Sequence, residues 1–169
     1  ITIASVTQEK SYSNTKETVT FEVTGTDKNI IEYSFNNKNW TSVTPSKRLT
    51  FSYDFTEEKM YTLYIKDEVG NIKDYSFSPT WLDKSAPVST LEVQNENGIY
   101  TLKINMTDEK SGVDSYQITT DSKMPDSWLK YNQMVTQTIS PTATYYIWSK
   151  DKAGNITYEA YSLNQVDKT

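Results

Sequence analysis

The carboxylates best placed to do chemistry in this chain sit in a motif written twice, Asp67-Glu-Val-Gly-Asn71 and Asp151-Lys-Ala-Gly-Asn155. Such a motif has two readings. In the first it closes a tight turn between strands. Asp67 or Asp151 accepts backbone N–H groups, Gly70 or Gly154 supplies the positive φ of the bend, and Asn71 or Asn155 tolerates left-handed geometry. In the second it feeds oxygen ligands to calcium, together with Asp108 or Asp27. Calcium asks for about six to eight oxygens, and this set is short of that. The residue types favour the structural turn, so no cofactor is assigned and calcium stands as the second reading.

Other acidic pairs, Glu57-Glu58 and Asp108-Glu109, carry the two carboxylates that glycoside hydrolysis needs. They fall in expected surface loops, and a small domain offers little room for the concave, water-poor setting of an active site. No catalytic residue is therefore assigned. The chain has no cysteine and no histidine. Thiol nucleophiles, disulfides and histidine triads are excluded, and zinc is disfavoured. Absence of cysteine fits the cytosol and also secretion without disulfides.

Aromatic residues form the next set of candidates. Trp40 and Trp128 each follow a polar turn after a tyrosine-bearing strand, where packing over the sheet is the expected role. On one segment Tyr61, Leu63 and Ile65 point one way, so Tyr64 points the other. Its repeat partner is Trp148. An outward aromatic at one place in both copies is either a platform for sugar stacking or is covered by a neighbouring strand's long side chains. Tyr64, Trp148, Trp40 and Trp128 are thus the candidate ligand contacts. Trp81 has no counterpart, since Gln165 holds its place; it is expected to pack at the junction between copies and stiffen it, and Pro87 is the other interdomain residue.

These residues are positioned by a repeat. Tyr61 to Tyr145, Asp67 to Asp151, Gly70 to Gly154 and Asn71 to Asn155 are each 84 residues apart in a chain of 169. The period predicts two domains, 1–83 and 84–169, each small but able to bury a core. Within each copy the apolar pattern has period 2. Val19, Phe21 and Val23 alternate with polar residues, as do Ile31, Tyr33 and Phe35, then Leu49, Phe51 and Tyr53. The second copy repeats this in Tyr100, Leu102, Ile104 and Met106. The runs are rich in Thr, Tyr, Val and Ile, which suit a pleated, half-buried surface. Strand spacing predicts an all-β fold with about seven strands per copy. Thr56 to Lys59 is expected to be a loop rather than a helical turn.

With 22 acidic against 17 basic residues the net charge is −5. That makes nucleic acid a poor partner. No apolar run approaches the roughly 18 residues of a membrane span. The chain opens inside a strand-like segment, and Val166–Thr169 repeats the start of the Asp83–Pro87 linker. A longer parent with a further copy is expected.

The Lys-Asp-x-x-Gly-Asn turns (Lys66 to Asn71, Lys150 to Asn155) and the linker Asp83-Lys-Ser-Ala-Pro87 carry a resemblance. So do Asp108-Glu-Lys-Ser-Gly112 followed by Tyr116, and Trp40 and Trp128 after their polar turns. Each copy resembles the immunoglobulin-like domains found in tandem on surface and secreted proteins of Gram-positive bacteria. The first copy departs at Asp27-Lys-Asn-Ile30, which lacks the Ser-Gly of the second. The resemblance implies two immunoglobulin-like β-sandwiches in tandem and a non-catalytic spacer on the outside of the cell. The protein would be a monomer whose partners are the neighbouring domains of the same chain. It also implies two alternatives: an adhesin or carbohydrate-binding module that takes a host matrix protein or polysaccharide, and an accessory domain of a secreted polysaccharide hydrolase.

Overall fold

A computed structural model of the chain describes residues 1–163. It contains fourteen strands, seven in each of two compact units. The first unit is Ile1–Leu82, and the second begins at Asp83. In the first, β1 (Thr2–Gln8), β2 (Glu17–Thr24) and β5 (Arg48–Phe55) make one sheet in the order β1-β2-β5. The other sheet holds β3 (Ile30–Ser34), β4 (Thr41–Ser46), β6 (Tyr61–Asp67) and β7 (Ile72–Phe77), in the order β4-β3-β6-β7.

The second unit repeats the plan. Here β8 (Val88–Glu96), β9 (Ile99–Thr107) and β12 (Val135–Ile139) pair in the order β12-β9-β8. The four-stranded sheet has β10 (Val113–Thr119), β11 (Leu129–Lys130), β13 (Thr144–Asp151) and β14 (Ile156–Ser162), ordered β11-β10-β13-β14. Every named pairing is antiparallel. The chain is all-β, with an architecture consistent with β-sandwiches. No helix among the described residues is long and apolar enough to cross a membrane.

Period-2 alternation explains the cores. Val19, Phe21 and Val23 of β2 meet Ile30, Leu63 and Ile65 of the other sheet, all fully buried. The first core is aromatic. Phe21 lies 5.3 Å from Phe51 and 5.2 Å from Phe77, ring to ring. The second is aliphatic, built on Leu102, Ile104, Met106, Ile139 and Ile147.

Three local features depart from simple alternation. A bulge between Ile30 and Glu32 shifts the phase of β3, so Ile30 joins the core with Tyr33 and Phe35 while Ile31 does not. Pro45 sits inside β4 rather than at a strand end; β4 is an edge strand, where a missing N–H breaks no ladder bond. The unit boundary falls before Asp83 rather than after it. Asp83 accepts from the N–H groups of Ser85 and Ser111, so its bonds belong to the second unit. The segment Val166–Thr169, expected to begin a further linker, lies outside the described residues.

Candidate functional site

The two Asp-x-x-Gly-Asn motifs form the same hairpin turn. Asp67 Oδ1 accepts from the N–H of Val69 at 3.1 Å and of Asn71 at 2.8 Å, and its Oδ2 accepts from Asn71 Nδ2 at 2.8 Å. Asp151 accepts from the Asn155 N–H and from Asn155 Nδ2, both at 2.8 Å. Gly70 and Gly154 have φ of 93° and 96°, the left-handed region where a Cβ is strained. The turns also anchor the loops after β2 and β9. The Glu68 N–H donates to the Asn29 carbonyl at 2.9 Å, and the Lys152 N–H donates to the Gly112 carbonyl at 3.0 Å.

Only the second unit builds a carboxylate cluster on this scaffold. Asp83, Asp108 and Asp151 bring ligand oxygens within 4.8 Å of one another, the one such group of three among the described residues. Asp108 is held by its own loop, with Oδ2 accepting the Gly112 N–H at 2.9 Å. Asp83 arrives from the chain segment that opens the unit. Asn155 Nδ2 ties that segment down, reaching the carbonyls of Asp83 at 2.8 Å and Ser85 at 3.3 Å. Asp27, the other partner expected for calcium, is exposed and outside the cluster.

Asp83 and Asp151 shift in opposite directions. Burial pushes Asp151 up, Asn155 opposes this, and the charges of Asp83 and Asp108 add to it, so its pKa lies above the ordinary 3.8. Burial also acts to raise Asp83. There the hydrogen bonds from Ser111 and Ser85 and the charge of Lys110 outweigh it, and its pKa is lowered. Asp67 is the control. Burial is again the largest influence, yet the donors of Asn71, Val69 and Gly70 together outweigh it, and its pKa is lowered. One motif thus shows opposite shifts because of what surrounds it.

The aromatic candidates divide. Trp148 is only 5% exposed. Its ring lies 4.7 Å from that of Tyr158 and its Nε1 donates to Thr119 Oγ1 at 3.0 Å. The expected stacking platform is therefore corrected at Trp148, which β14 covers. Tyr64 is half-buried. Trp40 and Trp128 are half-buried too, each with a lysine ammonium over its ring: Lys66 at 3.9 Å and Lys150 at 4.4 Å. These are matched cation–π contacts beside the two turns. Trp81 rests on Tyr12 of its own unit at 4.7 Å, and its main chain is held by Glu17 and Ser13. Pro87 is buried. Glu57 pairs with Lys59 at 2.8 Å on the exposed β5–β6 loop, which is a loop as expected.

Sequence reading missed Asp83 as a member of the cluster. It was legible only as a linker mark, because its partners lie 25 and 68 positions further on. The site and sheets define a tandem all-β protein with an acidic cluster where its second unit begins. No family model matches the chain, and no curated protein matches it.

Proposed function

We propose that this chain is a pair of immunoglobulin-like domains acting as a non-catalytic spacer in a bacterial cell-surface protein. Its role is to hold other domains away from the surface.

The observation that carries this reading is the direction of the chain through each unit. In the second unit the chain enters beside the Asp151–Asn155 turn, where Asn155 holds the carbonyls of Asp83 and Ser85. β14 then runs away from that turn, from Ile156 opposite Lys150 to Ser162 opposite Thr144. The seven residues of β14 span about 23 Å. The first unit follows the same course, β7 running from Ile72 opposite Lys66 to Phe77 opposite Tyr61. A unit entered at one end and left at the other adds its length to the chain, as a spacer must, and puts its strands under shear when the ends are pulled. Pulling the chain between its termini tests the reading: a spacer resists and then gives way unit by unit.

The cluster favours a second reading, in which a divalent cation, calcium, stiffens the segment that opens the second unit. All three ligands are hard oxygens, and a cation would relieve the repulsion from Asp83 and Asp108 that adds to burial in raising Asp151. Three carboxylates supply half of the smallest calcium shell, and several of their lone pairs already accept N–H groups. A calcium titration of thermal stability tests this reading.

A further inference from the structure

The two units differ in length where the third strand gives way to the fourth. In the first, β3 ends at Ser34, and Ser34 Oγ and Asn36 Oδ1 cap the turn by accepting the N–H groups of Asn36, Asn37, Lys38 and Asn39. In the second, the equivalent loop is four residues longer: Trp40 and Trp128 are 88 apart, against a period of 84. β10 continues to Thr119, paired with Tyr146 of β13. Its outer neighbour β11 covers only Ser115 and Tyr116. Over Gln117–Thr119 the outer edge of β10 has no strand partner among the described residues.

A half-buried strand edge leaves peptide groups that need a partner. Here Gln117 stands in. Its Oε1 accepts the Ile118 N–H at 3.0 Å, and its Nε2 donates to the Ser127 carbonyl at 3.2 Å. The carboxamide occupies the place of a neighbouring strand's peptide group. Beside it lies an open groove of about 710 Å³, walled by β10, the longer loop, Gln137 and Tyr145.

We propose that this edge is a docking site for an extended peptide segment carrying a lysine or arginine. The segment would displace the Gln117 carboxamide and pair with β10 as an added strand. Strand addition draws affinity from main-chain bonds, and alternate side chains give specificity. Successive peptide groups face opposite edges, so within Gln117–Thr119 it is Ile118 that turns its N–H and C=O outward, enough to pair one residue of a segment of about three. Charge selects the side chain. The exposed carboxylates of Asp121 and Asp126 outnumber the single Lys123 along the groove. Met124, 53% exposed, offers an apolar contact for the next residue but one.

The test pans a random 12-residue peptide display library on the full 169-residue chain. Selected peptides are then titrated into ¹⁵N-labelled protein. The expected binders are rich in Lys or Arg and move the amides of Tyr116–Thr120, Met124, Asp126 and Ser127. Methylating alternate peptide nitrogens weakens them about tenfold or more, since the lost donors face the strand. Gln117→Ala removes the internal competitor and tightens binding about threefold to tenfold, and Asp126→Asn weakens it by a similar factor. The N-methylated peptides need no protein variant, so a folding defect in Gln117→Ala leaves the test intact. Four results overturn the proposal. These are no peptide selected on wild type or Gln117→Ala, indifference to N-methylation, shifts confined to other strands, or a response of the same amides to soluble oligosaccharides and not to peptides.

Discussion

Asn155 Nδ2 donates to the Asp83 carbonyl at 2.8 Å, joining the first residue of the second unit to a turn 72 positions later. The same nitrogen donates to Asp151 Oδ2 at 2.8 Å, so one carboxamide orders both the turn and the incoming chain. Its counterpart Asn71 has only the first duty, bonding Asp67. Asn155→Ala should therefore cost about 2–3 kcal/mol, and Asn71→Ala about 1 kcal/mol, at roughly 1 kcal/mol per hydrogen bond. Urea unfolding of the two variants measures the difference. Equal losses would mean that the bonds to Asp83 and Ser85 contribute nothing.

The opposite shifts of Asp67 and Asp151 give opposite pH trends. The folded-state pKa of Asp67 is lowered, so its ionised form stabilises the fold above the ordinary 3.8, and that contribution is lost as pH falls through the folded value. The folded-state pKa of Asp151 is raised, so its protonated form stabilises the fold at low pH, and that contribution is lost as pH rises through the window above 3.8. Asp67→Asn should then cost most at neutral pH and least in acid. Asp151→Asn should cost least at neutral pH and most in acid. Denaturation midpoints at several pH values show whether the two trends diverge.

The cation reading expects calcium to raise the thermal midpoint of the wild type and to leave Asp108→Asn unmoved. Differential scanning calorimetry in excess calcium and in chelator decides it. A midpoint unchanged between the two would end this reading.

Burial makes Trp148 a structural residue. Trp148→Ala should cost about 3–5 kcal/mol, the range for emptying a large aromatic site, whereas Tyr64→Ala should cost less than about 2 kcal/mol. Acrylamide quenching offers a second check. In a chain where Trp40, Trp81 and Trp128 are changed to Phe, the remaining Trp148 should be poorly quenched.

Much of this was legible because β structure writes its core at every second residue. Val19, Phe21 and Val23, or Leu63 and Ile65, declare their inward face with no knowledge of partners. Three things were not legible, each for a non-local reason. The bulge at Ile30 moves a core residue by one place, and alternation alone cannot show an inserted residue. Trp148 reads as outward, as it is, but its cover comes from Tyr158 and Thr119 on two other strands. Asp83 reads as linker because the donors that recruit it come from Ser111 and Asn155 across the unit. The open edge of β10 did leave a trace: the tryptophans are four residues further apart than the repeat allows.

The most direct test of the spacer account is to pull the chain by its two ends in a single-molecule force experiment. The account predicts two abrupt unfolding events of nearly equal size. Each should release on the order of 25–30 nm of chain, the reach of about eighty extended residues. Smooth lengthening at low force, or one event releasing the whole chain, would contradict it.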